Sequence, residues 1–474
     1  MLTPALFTFI HCLSYSALWA ADWPQFRGPA AAGISDESRL PLEFSPHKNV
    51  AWKTPLPAGK SSPVVTGNRV CLTGAEGEKL ETLCLDRNTG AILWRRSVRQ
   101  ERNENRHKLN HAAAPTPVTD GENLFVFFSD FGLLSYTLAG TLRWQLPLGP
   151  FSNLHGMAAS PVLAGGSLIL ACDQDTGGFL LAVNKDTGKT VWRAARPEFP
   201  HGFSTPAVYV PDEGPAQIIL PGAYQMVSYS AQSGERIWSL GGLTWQPKSA
   251  PVIRNGVLYF NGWAPGGDPG QQSQLPPFEE VLKLADRNND GKLSPEEIPT
   301  ELRHSGSWNA IDLDKDGAMN ARDWSFYRAR RAARNNLMAI RLGGRGDITS
   351  SHVLWRFDKS IPDVPSPLLY QNVLFLVRTG GIFTTVNPAT GEVYRQGRLA
   401  GALEGYYASP VAAAGRVYVA SEQGKVVVVK ASAEWEVLAV HDFGEEIYAT
   451  PAISGGQMLL RTATALYAIS EQAP

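Results

Sequence analysis

The sequence predicts an all-β fold, an eight-bladed propeller, and three regularities carry that expectation. A small residue precedes proline at Ser62-Pro63, Thr116-Pro117, Ser160-Pro161, Thr205-Pro206, Ala250-Pro251, Ser366-Pro367, Ser409-Pro410 and Thr450-Pro451, at intervals of 54, 44, 45, 45, 116, 43 and 41 residues. A period near 44 is the size of one four-stranded blade. Tryptophan recurs at a fixed point of the repeat, at Trp94, Trp144, Trp192, Trp238 and Trp355, with Tyr394 and Trp435 as looser equivalents. A turn closing on glycine precedes it, at residues 86–90, 184–188, 230–234 and 387–391. A large flat ring at one place per unit is expected to pack between neighbouring blades.

Taken in chain order, residues 1–21 hold no Lys, Arg, Asp or Glu and carry an apolar run over 6–18. That run is too short to span a bilayer and ends in Trp19-Ala20-Ala21, so 1–21, with Cys12 in it, reads as a cleaved export signal. The mature chain is then periplasmic or secreted and has no transmembrane segment. It divides into propeller at 22–267, an insertion at 268–335, and propeller again at 336–474.

The third repeat shows the grammar of a blade. Ser160-Pro161 leads into an apolar run at 162–164, a Gly165-Gly166 turn, further runs at 167–171 and 179–183, and a last strand ending at Trp192. Short apolar runs bounded by Gly and Asn/Asp are strand signals, and glycine supplies the positive φ that ends a tight turn. The eighth unit has room for three strands only, with no tryptophan after Thr450-Pro451. Residues 49–54, with Trp52, are expected to supply its outer strand and close the ring, which removes an exposed sheet edge.

Charge is balanced, 43 basic against 44 acidic residues, which argues against general nucleic-acid binding. Cys71, Cys84 and Cys172 remain after cleavage, too few for a disulfide framework. Cys71 and Cys84 sit on consecutive predicted strands and can pair across a hairpin; small buried thiols are the favoured reading.

The 116-residue interval exposes the insertion, between strands at 257–260 and 337–340. Within it, residues 286–297 match a twelve-residue EF-hand calcium loop. Asp286, Asn288 and Asp290 offer side-chain oxygens, Gly291 makes the sharp turn, Lys292 gives its carbonyl, Ser294 acts directly or through water, and Glu297 can be bidentate. Residues 312–323 repeat the pattern with Asp312, Asp314, Asp316, Gly317, the Ala318 carbonyl, Asn320 and Asp323. The last is an aspartate where glutamate is usual, so this second site is expected to bind calcium more weakly, or to tolerate six-coordinate magnesium more readily. Phe278, Val281, Leu282 and Ala285 form one apolar helix face before the first loop. Leu293 and Met319 suit the short strand pairing that couples two such loops. The basic set Arg328, Arg330, Arg331 and Arg334 reads first as a favourable helix C-terminus, and second as a dock for an acidic partner.

In an up-and-down ring the connections entering the inner strands share a face with this insertion. They carry His111, His155 and His201, with Lys60, Lys248, Tyr407 and Tyr448 three residues before their prolines. Converging on the channel mouth, these side chains suit an anion, a carbonyl-rich ligand or a transition metal.

The repeated Trp with its Thr-Gly turn, and the leader Asp22-Trp23-Pro24-Gln25-Phe26-Arg27-Gly28-Pro29, resemble pyrroloquinoline-quinone-type repeat propellers over nearly all of 22–471 except the insertion. That group includes quinone-dependent alcohol dehydrogenases and cofactor-free scaffolds of the BamB outer-membrane assembly type. The resemblance implies that an enzyme would carry two adjacent cysteines, but no Cys-Cys occurs here, and no family metal-binding or catalytic residue can be matched. No catalytic residue is assigned. The reading is an exported, calcium-binding, non-catalytic interaction or recognition scaffold, monomeric, with a protein or extracellular polymer as partner. The alternative is an oxidoreductase dependent on pyrroloquinoline quinone (PQQ).

Overall fold

The computed structural model describes residues 22–303, 306 and 308–471, which form eight antiparallel sheets. The expected export signal, 1–21, lies outside the described residues. Blade 1 runs Val64–Thr66, Arg69–Glu76, Lys79–Asp86 and Ile92–Arg99, hydrogen-bonded in chain order. Blades 2, 3, 6 and 7 repeat this meander. Blade 5 keeps it across the insertion, pairing Val257–Gly262 with Asn336–Arg341. Blade 8 takes its fourth strand from the other end of the chain: Val50–Pro55 pairs with Ala465–Ile469, setting Trp52 opposite Ala468. The ring therefore closes as the spacing predicts. Among the described residues no helix is long and apolar enough to cross a membrane.

Burial explains the strand patterns. The second strand of blade 2, Asn123–Phe128, is buried at every residue because blades cover both of its faces. The outer strand Ile92–Arg99 buries only Trp94. Within the ring the apolar clusters bridge seams; one joins Cys71, Leu80 and Cys84 of blade 1 to Leu124, Val126 and Phe128 of blade 2.

The repeated tryptophan is the outer half of each seam. Trp52, Trp94, Trp144 and Trp192 donate their indole N–H to carbonyls of the next blade, those of Arg87, Leu138, Lys185 and Ala231, at 2.7, 2.9, 2.9 and 3.0 Å. Each ring lies against the turn glycine of that blade: a Cβ on Gly90 would sit 2.5 Å from Trp52, and Gly90 has φ 72°. That contact requires glycine twice over, for the left-handed backbone and for the close approach. Trp238 departs from the rule and bonds Gln217 of its own blade. Tyr394 is exposed, and Trp435 packs back against Phe383 of blade 6, so neither repeats the forward contact.

The residue before each proline is the inner half. Ser62 N–H donates to Thr116 Oγ1 (3.0 Å), Thr116 to Ser160 Oγ (2.9 Å), and Ser160 to Thr205 Oγ1 (3.0 Å). Ala250, Ser366 and Ser409 continue the series to Ser366, Ser409 and Thr450. Hydroxyl-bearing side chains recur there because each accepts the N–H of the preceding blade. Ala250 has no hydroxyl, so the seam between blades 4 and 5 lacks this bond. Ala250→Ser is expected to stabilise the protein by about 1 kcal/mol, the usual worth of one such bond, read as a raised midpoint of urea unfolding. A variant no more stable than the parent would show that the hydroxyl ring contributes nothing at this seam.

The leader crosses one end of the central channel. Trp23 pairs with Val65 of blade 1, Pro24 O accepts from Thr119 of blade 2, Arg27 donates to Pro367 O at the entrance to blade 6, and Ile34 bridges to Ala412 of blade 7. Two features depart from expectation. Gly346–Asp347 adds a fifth, parallel strand to blade 4. Cys71 and Cys84 form a disulfide rather than remaining buried thiols. The physical reason is register: the two stand directly opposite on adjacent strands, where Cβ atoms come within bridging reach.

Candidate functional site

The insertion folds around its own core of Val281, Ala285, Leu293, Ile298, Trp324 and Tyr327, among others. Helix α1, Phe278–Ala285, precedes the first loop, and helix α2, Ala321–Ala332, follows the second. Between the loops the described chain makes short 3-10 turns at Thr300–Leu302 and Trp308–Ala310. Leu293 and Met319 exchange backbone hydrogen bonds of 3.0 and 2.8 Å, which fixes the two loops side by side.

Both loops are wound from within by their own side chains. In the first, Gly291 N–H donates to Asp286 Oδ2 (3.0 Å), Asp290 N–H to Asn288 Oδ1 (3.0 Å) and Lys292 N–H to Asp290 Oδ1 (2.8 Å). Glu297 accepts from Arg287 N–H and from both the N–H and hydroxyl of Ser294. In the second, Gly317 N–H donates to Asp312 Oδ2 (2.9 Å) and Ala318 N–H to Asp316 Oδ1 (3.0 Å). Lys292 reaches across to Asp316 and ties the loops together. Asn320 and Asp323 cap α2 reciprocally, each side chain accepting the other's backbone N–H.

Asp312, Asp314 and Asp323 bring one carboxylate oxygen each within 4.8 Å of one another, a group able to hold a metal ion. Among the described residues this is the one cluster of its kind, and it lies in the second loop, the one expected to be weaker. Asp323 belongs to it because capping α2 points its short side chain back into the loop. Burial, with Asp314 and Asp312 facing it, raises the Asp323 carboxyl to about 6. In the first loop Glu297 is held by Ser294 and Arg287, and its carboxyl is lowered by those hydrogen bonds. One observation is common to both loops: Oδ1 of Asp286 and Oδ1 of Asp312 are buried without a hydrogen-bond partner, while the other oxygen of each is pinned by the loop glycine.

The second loop is seated on the propeller. Lys315 donates to Ser152 Oγ (2.9 Å) and stands 3.8 Å from the buried Asp175 carboxylate. Arg322 donates to the carbonyls of Asp175 (2.6 Å) and Pro197 (3.0 Å). Here lies His201: its Nδ1 is 2.7 Å from Asp175, its Nε2 is 3.3 Å from Ala310 O, and its ring meets Phe326 of α2. It is buried beneath the insertion and is absent from the channel mouth. The helix arginines are occupied as well. Arg328 bonds Leu275 O, Arg330 stacks 3.9 Å over Trp245, and Arg331 bonds Ser273.

At the channel mouth, Lys60, His155, Lys248, Tyr407 and Tyr448 do line one cavity of about 400 Å³. His111 sits behind it, in a smaller recess with Lys60 and Arg461. Burial lowers His155 and His111 to about 4, helped by Lys248 for the first and Arg461 for the second, so both are neutral at physiological pH. The three imidazoles predicted to converge are thus split among a mouth, a recess and a buried seat. Lys248 is paired with Asp363. Sequence reasoning missed His107, Gln246, Trp263 and Phe26 on the cavity wall. Gln246 stands two residues before Lys248, whereas Trp263 carried no such signal and Phe26 was visible only as part of the leader.

A family model described as outer membrane protein assembly factor BamB matches residues 45–177, 83–262 and 344–472, leaving out the insertion. Among solved structures, BamB from Moraxella catarrhalis is similar at 11% identity and TM-score 0.55, over 90% of this chain and 100% of that one. Quinohemoprotein alcohol dehydrogenase from Comamonas testosteroni is similar at 10% identity and TM-score 0.61, over 97% and 82%. The europium-containing methanol dehydrogenase gives 10% identity and TM-score 0.55, over 94% and 90%. At such identities these structures share the fold alone. No curated protein matches in sequence.

Proposed function

The chain belongs to the family of the outer membrane protein assembly factor BamB, and on that premise we propose that it is an exported, non-catalytic recognition scaffold whose fifth blade carries a calcium-loaded loop pair. The observation that carries the metal is the pair of buried, unpartnered Oδ1 atoms on Asp286 and Asp312. A buried carboxylate oxygen without a partner is costly, and a hard cation satisfies it. In the first loop Asp286, Asn288, Asp290, the Lys292 carbonyl, Ser294 and Glu297 would hold calcium. In the second the donors are Asp312, Asp314, Asp316, the Ala318 carbonyl, Asn320 and Asp323. The second loop's seat on Ser152, Asp175 and Pro197 supports a structural role, in which the ion stiffens the insertion against the ring. Its partner is a protein or an extracellular polymer.

The oxidoreductase alternative is supported by fold similarity alone. The Cys71–Cys84 disulfide is buried between blades 1 and 2, away from the mouth, and so does not meet the pattern that a quinone enzyme implies.

Calorimetric titration of the mature protein with calcium tests the proposal. Two ions per chain are expected, and Asp312→Asn should weaken one of them about tenfold or more. The pH dependence has a definite sign. Metal needs the Asp323 carboxylate, and the carboxyl titrates at about 6. Affinity at the second loop should therefore hold above pH 7 and fall about tenfold per unit well below pH 6. Absence of binding at millimolar calcium would remove the metal from the account.

A further inference from the structure

The channel beneath the mouth is blind. Phe26, carried on the leader that crosses the ring, lines the cavity from below, and the aromatic side chains of Phe203, Trp263, Tyr407 and Tyr448 line its sides. Its volume, about 400 Å³, lies at the small end of ligand pockets. The seam hydroxyls of Thr116, Ser160, Thr205, Ser366, Ser409 and Thr450 border the same space. Each already accepts a backbone N–H, and among the described residues none donates its own O–H to a protein acceptor. The wall therefore offers a circle of spare donors. Gln246 adds another: the residue is 2% exposed, and among the described residues its Nε2 has no hydrogen-bond partner. A buried amide N–H is left so only at a cost, unless a ligand supplies the acceptor.

Charge selects further. Lys248 is neutralised by Asp363. Lys60 forms no ion pair among the described residues; its ammonium donates to Leu109 O (2.8 Å) and lies 3.6 Å from the centre of the Tyr448 ring. Behind it, Arg461 is buried on the carbonyls of Ser61, Thr73 and Pro57, with no carboxylate partner. Glu446 borders that recess without pairing either cation. The mouth thus suits a ligand with one anionic group, many hydroxyl acceptors and apolar ring faces to lie on aromatic walls. A pyranose ring bearing a carboxylate has all three.

We propose that the channel mouth binds a hexuronate, with its carboxylate on Lys60 and a ring oxygen or hydroxyl accepting from Gln246. The inference rests on the recognition-scaffold reading and names its ligand class. The blind floor admits a free sugar acid or the end of an acidic polysaccharide, and excludes a chain threading through.

Calorimetry of the calcium-saturated mature protein with galacturonate, trigalacturonate and neutral galactose tests this. Both acids should bind, galactose at least about tenfold more weakly. Lys60→Met should weaken the acids about tenfold or more and leave galactose unchanged, and Gln246→Met should weaken all three. A tighter trimer assigns a polymer end; equal affinities assign the free acid. No heat from either acid at about 10 mM, or acid binding indifferent to Lys60→Met, overturns the proposal. Should Lys60→Met fail to melt cooperatively, Lys60→Gln and the Gln246 variant carry the same test. A protein that binds calcium but no acid refutes only this inference, whereas one that binds acid but no calcium refutes only the metal reading.

Discussion

A chain starting at residue 57 is expected to lose cooperative melting and to aggregate. Two contacts go at once. Without Val50–Pro55 the strand Ala465–Ile469 becomes an exposed edge of five buried residues, a template for pairing with another molecule. Without the leader, Trp23 no longer pairs with Val65, and Arg27 no longer reaches Pro367. A closed ring has no weak seam to spare, because every blade needs a neighbour on each side to bury its faces. The narrower variant Trp52→Ala keeps the strand and removes the ring on Gly90 together with its N–H bond to Arg87 O, at a cost of about 3–5 kcal/mol. Light scattering and thermal melting of the truncated chain decide the matter: a monomer melting like the parent would show that blade 8 stands without its borrowed strand.

Replacing Asp173 by asparagine, or Arg196 by methionine, should cost about 3–5 kcal/mol in urea unfolding, because either change strands the other charge in the interior. The pair is bidentate, at 2.6 and 2.8 Å, and its side chains are 3% and 0% exposed. Tyr229 holds the third edge of the guanidinium at 2.5 Å. The segments that carry it, near Asp175 and Pro197, also seat Lys315 and Arg322 of the insertion. Calcium affinity at the second loop should therefore weaken with stability, whereas a merely local defect would leave it unchanged. Single variants within about 1 kcal/mol of the parent would mean that water reaches the pair and screens it.

Much of this was legible from single residues. The Xaa-Pro marks, the tryptophans and the turn glycines each repeat because one local contact, a hydroxyl on an N–H or an indole on a glycine, is made at seam after seam. The shortage of a fourth strand after Thr450 announced the closure by Trp52. The loop pattern was equally plain, since in each loop the glycine, Gly291 or Gly317, and the alternating oxygens lie within twelve residues of chain. The channel mouth was less legible. Its side chains come from blades far apart in sequence: a shared offset from proline located Lys60 and Lys248, and a place on the connection entering an inner strand located His155, but neither could tell that His201, on the same kind of connection, would be covered by α2.

The sequence by itself determined the number of blades and the place of the insertion, and it marked the loop oxygens proposed as donors, because those depend on periodicity and on neighbours along the chain. Only the tertiary structure decided that Cys71 and Cys84 bridge, that the leader floors the channel beneath Lys60 and Gln246, and that the carboxylates gather at the second loop. These depend on register, on crossing points and on a helix cap turning Asp323 inward. Such distances through space follow from packing, and no local pattern encodes them.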